Sequence, residues 1–183
     1  NGPLMRKVVA RRVGEIAALA GIDVPADRKF IVVEEQGAGA DYPFSGEKLS
    51  LVLTCYKYDA FDDAIALVNA ITGYSGAGHS CGIHSNDPER ILKLGLETKT
   101  SRVIVRQSHG VANSGSWSNG LAKTFSLGCG SWGGNSVSEN VTQRHYYNTT
   151  RIAEPLDRSA PDDQAIYGPL LGKIAAVRIA AGA

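Results

Sequence analysis

No uninterrupted apolar run of about 18 residues occurs in this sequence, so no membrane-spanning helix is expected. Charge of one sign is not in excess either: 19 basic and 18 acidic residues give no electrostatic case for nucleic acid or a membrane surface as partner. Cysteine is scarce. Cys55, Cys81 and Cys129 lack paired metal-site spacing, and His79, His84, His109 and His145 stand with no carboxylates at a familiar metal spacing, so no metal is expected. Three thiols suit a reducing compartment better than a disulfide scaffold, which makes the cytoplasm the expected location. A P-loop, a Gly-x-Ser-x-Gly elbow and a Gly-x-Gly-x-x-Gly between strand and helix are all missing. Nucleotide hydrolysis, serine hydrolysis and a self-sufficient dinucleotide fold therefore lose support. The beginning, Asn1-Gly-Pro-Leu-Met-Arg-Lys, has no basic-then-apolar signal architecture, although an excised piece would not show that of its parent.

What is present fits one α/β domain, since 183 residues at 43% hydrophobic can bury one substantial core. Leu4, Val8, Val13, Ile16 and Ala20 recur at helical spacing before Gly21, which predicts a helix over 4–20. Phe30 to Val33 and Leu49 to Tyr58 read as strands, with Cys55 a structural residue inside the second. Asp59 can cap a helix to about Ile71, Cys81 to His84 can form a strand, and Asp87-Pro-Glu is a helix start running to Leu96. Arg102 to Arg106 follows as a strand. This β-α-β-α-β rhythm predicts a mainly parallel sheet with helices on its faces, a three-layer α/β fold. Residues 107–134 read as a long functional loop anchored by Trp117, Phe125 and Trp132, and His145 to Ile152 as an edge strand. Pro155 to Asp163 reads as a linker, and Leu170 to Ala183 as an apolar tail that either docks on a partner or folds back.

For several residues two readings stand side by side. Cys81, two residues from His79, is either a nucleophile with a nearby base or a small core residue. Cys129 is either a thiolate favoured by loop N–H groups or a packing residue. Glu47, in a glycine-containing turn before a strand, is either an acceptor for ligand hydroxyls or a solvated turn residue.

The most informative string is Leu127-Gly-Cys-Gly-Ser-Trp-Gly-Gly-Asn-Ser-Val-Ser-Glu, with glycines at 128, 130, 133 and 134. Such density requires unusual backbone angles or a close approach by another group. Ahead of it, in order, come Pro43-Phe-Ser-Gly-Glu-Lys-Leu-Ser, Gly76-Ala-Gly-His-Ser-Cys and Lys99-Thr-Ser-Arg-Val-Ile-Val. Asn148-Thr-Thr-Arg-Ile-Ala follows it. Together these segments resemble the CoA-acylating aldehyde dehydrogenases. The stretch Val105-Arg-Gln-Ser-His-Gly-Val-Ala-Asn is more similar to the succinate-semialdehyde and sulfoacetaldehyde enzymes than to the bifunctional alcohol-forming type.

That resemblance implies that residues 1–154 are the C-terminal part of an aldehyde dehydrogenase catalytic domain, with a C-terminal oligomerisation strand at 145–152, and that 155–183 are linker and tail. It implies that Glu47 hydrogen-bonds the nicotinamide ribose of NAD or NADP and that His79 lies near the reacting thioester. It also implies that Gly128, Cys129, Gly130, Gly133 and Gly134 border the substrate region, where either their N–H groups orient ligand oxygens or the glycines serve only to shape the domain. Coenzyme A would be co-substrate and a small aldehyde the substrate. The nucleophilic cysteine and the cofactor domain would come from the rest of the polypeptide, leaving this chain inactive alone. A non-catalytic assembly module using the 145–152 strand is the alternative.

Overall fold

The computed structural model describes residues 6–173, which divide into two compact units, the first ending at Tyr147 and the second starting at Asn148. In the first unit a 3-10 turn at Arg6–Val8 precedes α1 (Val13–Ala20). The single helix predicted over 4–20 is broken because Ala10 takes a φ of 54° and donates its N–H to the Leu49 carbonyl at 3.0 Å. Helical bonding restarts where the Glu15 carboxylate accepts from Arg12 N–H at 3.0 Å, and it ends at left-handed Gly21, as the sequence indicates.

Strands β1 (Ile31–Glu34) and β2 (Val52–Cys55) pair in parallel, Ile31 opposite Val52 and Glu34 opposite Cys55. Alternation puts Val32, Leu53 and Cys55 on one face, and that face is open: Val32 is 52% and Leu53 51% exposed. Cys55 lies at the end of β2, where the sequence places a strand, and is exposed with them.

Helix α2 (Phe61–Tyr74) starts one residue later than expected, with Ala60 at the cap position and the Asp63 carboxylate accepting its N–H at 3.1 Å. Helix α3 (Pro88–Glu97) begins as its sequence demands: Asp87 accepts from the N–H groups of Glu89 and Arg90, and Pro88 occupies a first-turn position that needs no donor. Strands β3 (Cys81–Ile83) and β4 (Val103–Val105) are parallel, with Gly82 opposite Ile104. One face of this pair packs on α2 and α3 through Cys81, Ile65, Leu94, Phe61, Val68, Ile83 and Val103. The opposite face carries Arg102 and Ile104, both buried, beneath the segment that contains α4 (His109–Ala112). Three layers are thus built around β3 and β4. The predicted single sheet is two separate parallel pairs.

The segment from 107 to 134 is anchored differently from expectation. Trp117 and Phe125 are almost wholly exposed, and polar side chains hold the chain instead. Asn119 donates to the Ala112 carbonyl at 2.9 Å, and buried Asn140 donates to the carbonyls of Asn113 and Ala122 at 3.0 and 2.8 Å. The strand expected over 145–152 does not form within the chain. Gln143–His145 is a 3-10 turn, closed by Thr142 N–H donating to His145 Nδ1 at 2.9 Å, and the residues after it have no ladder partner among those described. In the second unit α5 (Asp163–Tyr167) is capped by Asp162, which accepts from Ala165 N–H at 2.7 Å. Most of the apolar tail at 170–183 lies outside the described residues. No helix among them is long and apolar enough to cross a membrane.

Candidate active site

A cleft of about 350 Å³ lies in the first unit between the 45–47 turn, the end of α2, the Gly76–Ser80 segment and α4. Both Glu47 and His79 line it, so the structure brings together two residues 32 positions apart in sequence. Its other polar walls are Ser45, Thr72, Ser75, Ser80, His109 and Asn113.

The turn that presents Glu47 is tied down from three sides. Buried Ser45 accepts from Gly39 N–H at 3.0 Å and donates to the Tyr42 carbonyl at 2.7 Å. Lys48 donates to the carbonyls of Phe44 and Gly46 at 2.6 and 2.8 Å, and burial of its ammonium lowers its pKa. Glu47 N–H reaches Ser75 Oγ at the end of α2, 3.2 Å away. With the backbone fixed, the exposed Glu47 carboxylate makes no hydrogen bond or ion pair to the described residues. It is free to accept from the two hydroxyls of a diol.

His79 is fixed from behind. Gly78, with φ of 76°, is pressed against the glycine-rich loop so closely that a Cβ there would stand 2.0 Å from the Cys129 carbonyl oxygen. A Cβ on Gly133 would stand 2.6 Å from the Ala77 carbonyl oxygen. Buried Arg102 donates to the carbonyls of His79 and Gly128 at 3.1 and 2.8 Å, and to Asn140 Oδ1 at 3.4 Å. Burial lowers the guanidinium pKa, while nearby Cys129 acts in the opposite direction. A charged donor inside the protein, bonded to two carbonyls, thereby clamps the His79 backbone to the glycine loop.

The loop itself is a hairpin with an antiparallel bridge between Leu127 and Asn140. The N–H groups of Gly128 and Gly130 donate to Glu139 and Val137 carbonyls, and that of Cys129 to Asn135 Oδ1 at 2.8 Å. Those of Gly133 and Gly134 close the 3-10 turn Ser131–Gly133. All five donors are therefore engaged inside the loop. None of the five residues lines the cleft; they stand one layer behind His79.

Cys81 also lies elsewhere, buried between α2 and α3 with Sγ 3.5 Å from Thr100 Oγ1, so of its two readings the structure bears out the core one. Among the described residues no group of three or more His, Cys, Asp or Glu side chains could hold a metal. Sequence spacing missed Ser80, His109, Asn113 and Arg102 as site residues. Only the fold over Gly82 brings α4 to the Gly76–Ser80 segment, and a separation of 29 residues between Ser80 and His109 gives no local signal.

Parallel β-α-β pairing with a cleft beside the strands and a glycine hairpin buttressing its histidine defines an α/β catalytic-domain segment. No family model matches the chain. It is 44% identical over 167 residues to the acylating sulfoacetaldehyde dehydrogenase of Cupriavidus necator, covering 90% of this chain and 33% of that protein. It is 43% identical over 169 residues to the acetylating succinate-semialdehyde dehydrogenase of Clostridium kluyveri, covering 92% and 37%. Among solved structures it is similar to an acetylating aldehyde dehydrogenase of Geobacillus thermoglucosidasius, with TM-score 0.78, 34% identity, and coverage of 86% of this chain and 34% of that one. Over the stretch it shares with them, the chain is homologous to the acylating aldehyde dehydrogenases and has their fold. It spans about a third of the length of these relatives.

Proposed function

We propose that this chain supplies one wall of the active site of an NAD(P)-dependent, CoA-acylating aldehyde dehydrogenase that converts a short-chain aldehyde to its acyl-CoA. The supporting observation is that Glu47 and His79 share one cleft in a chain 44% identical to such an enzyme. The bound nicotinamide cofactor supplies a hydride acceptor. Glu47 orients it by accepting from the two ribose hydroxyls. His79 takes the proton of the coenzyme A thiol as that thiol attacks the enzyme-bound thioester. Cys55, Cys81 and Cys129 do not line the cleft, so the cysteine that forms the thioester comes from outside these 183 residues. Alone, the chain is inactive. The glycine loop positions His79 rather than touching substrate. The 145–152 segment, with Tyr146 77% and Ile152 91% exposed, pairs with another copy of the enzyme. A reducing cytoplasm suits the free thiols.

The test is an assay of the polypeptide as its host makes it, beside the isolated chain, with aldehyde, coenzyme A and NAD+ or NADP+. The expected result is acyl-CoA formation by the host product only. In that product Glu47→Gln raises KM for the cofactor roughly 10-fold, the loss of about one charged hydrogen bond. His79→Gln lowers kcat roughly 100-fold. Turnover by the isolated chain, or an unchanged cofactor KM in the Glu47 variant, defeats the reading.

A further inference from the structure

Ser80 lies between two imidazoles. Its Oγ is 2.6 Å from His79 Nδ1 and 2.8 Å from His109 Nε2, and Asn113 Nδ2 donates to the same oxygen at 3.4 Å. A hydroxyl has one proton and two acceptor sites. With Asn113 on one acceptor site, one imidazole must donate to Ser80 and the other must accept from it. The proton position on His79 is therefore set by the state of His109.

Burial lowers the His109 pKa, and the proximity of His79 lowers it further, so His109 is neutral near pH 7 and keeps one bare nitrogen. Its ring packs over Gly82, where a Cβ would be 3.2 Å from its Nδ1 and equally 3.2 Å from the Ile104 carbonyl oxygen. A proton on Nδ1 of His109 leaves its Nε2 to accept from Ser80. Ser80 then accepts from Nδ1–H of His79. No hydrogen bond from the described residues reaches His79 Nε2, the nitrogen left with the lone pair.

We propose that His109 is a positioning residue: through Ser80 it holds His79 as the Nδ1-protonated tautomer and leaves Nε2 as the free base of the cleft. The relay through Ser80 stands on geometry, whereas its direction and the use of that base rest on the acylating reading. The other ionisable or charged groups at His79 are Glu47, on the same cleft, and the Arg102 guanidinium on its carbonyl.

Nitrogen-15 correlation spectra of the histidine-labelled chain read both tautomers directly. Wild-type His79 is expected to show a protonated Nδ1 and a bare Nε2. His109→Phe keeps the ring shape but removes the acceptor, and is expected to move His79 mainly to the Nε2-protonated form. His109→Gln, whose amide oxygen still accepts from Ser80, is expected to keep the wild-type tautomer. An unchanged His79 in His109→Phe, or a protonated Nε2 in the wild type, overturns the proposal. In the host polypeptide, His109→Phe is expected to lower kcat for acyl-CoA formation about 10- to 100-fold at unchanged aldehyde KM, the scale of one misplaced acid–base group. His109→Gln is expected to recover most of that loss. A host polypeptide that forms no acyl-CoA at all would sink the acylating reading and leave the tautomer measurement to decide this one.

Discussion

The two strand pairs of the first unit differ in what covers them. Beneath β3 and β4 lie α2 and α3, and above them lie α4 and the glycine hairpin, so Ile104 is 3% and Leu94 4% exposed. Strands β1 and β2 have the same parallel pairing and similar apolar residues, yet Val32 and Leu53 are half exposed on an open face. Parallel sheets are ordinarily buried on both sides, because each strand is apolar on both faces. The cleft follows the covered pair. His79, Ser80 and His109 belong to its layers, whereas Glu47 is held by a turn leading into β2. The histidine of the cleft is thus held from behind, whereas its carboxylate stands beside an open sheet, in a chain that spans about a third of its relatives' length.

The largest contrast is expected from two glycines. Gly78→Ala forces a Cβ to 2.0 Å from a backbone carbonyl at a φ of 76°, in the covered region, with no flexible side chain to yield. The expected cost is about 3–5 kcal/mol, read as a drop in the urea midpoint. Gly73→Ala in α2 meets nothing within 4 Å and is expected to stabilise by about 0.5–1 kcal/mol through helix propensity. Equal effects of the two would mean that the glycine loop does not press on Gly78.

Next in size is a matched pair of truncations. Ile104→Ala is expected to cost about 2–4 kcal/mol, because it leaves a cavity between two covering layers. Leu53→Ala, on the open face of β2, is expected to stay within about 0.5 kcal/mol in this chain. A comparable loss at Leu53, measured by the same denaturation, would show that the open face is covered in solution.

The same contrast explains what was legible in the sequence. Helix α3 is where it was expected because Asp87 and Pro88 act on their own backbone within one turn, and α1 ends at Gly21 for an equally local reason. Strands β1, β2 and β4 announce themselves by β-branched residues. The exposure of Cys55 is not legible, because a strand's composition does not say which face another layer covers. The 4–20 helix was overcalled because the bond from Ala10 to Leu49 is made 39 residues away. In the site, the resemblance singled out Glu47 and His79, but Ser80, Asn113 and His109 join them through contacts 29 to 33 residues apart. The internal pairing of the glycine hairpin's donors is illegible for the same reason: residues 135 to 139, which accept three of them, lie across a turn that composition alone does not reveal.

The smallest expected effect is a dependence of stability on pH that separates the two kinds of environment. Burial, aided by His79, lowers the folded-state pKa of His109 below its ordinary 6.5. Between that lowered value and 6.5 the unfolded chain binds a proton that the folded chain does not, so stability rises with pH through this window and is lost as pH falls through it. Exposed Glu139 behaves differently. Its hydrogen bond with His145, then the charge of Arg144, lowers its pKa below 4.5, so its contribution is present above 4.5 and lost only in more acidic solution. Urea midpoints measured from pH 7.5 to 5.5 should therefore fall in the wild type and flatten in His109→Phe, while Glu139→Gln changes the region below 4.5. A slope between 7.5 and 5.5 that survives in His109→Phe would mean that the imidazole is as wet in the folded chain as in the unfolded one, and that α4 does not cover β3 and β4.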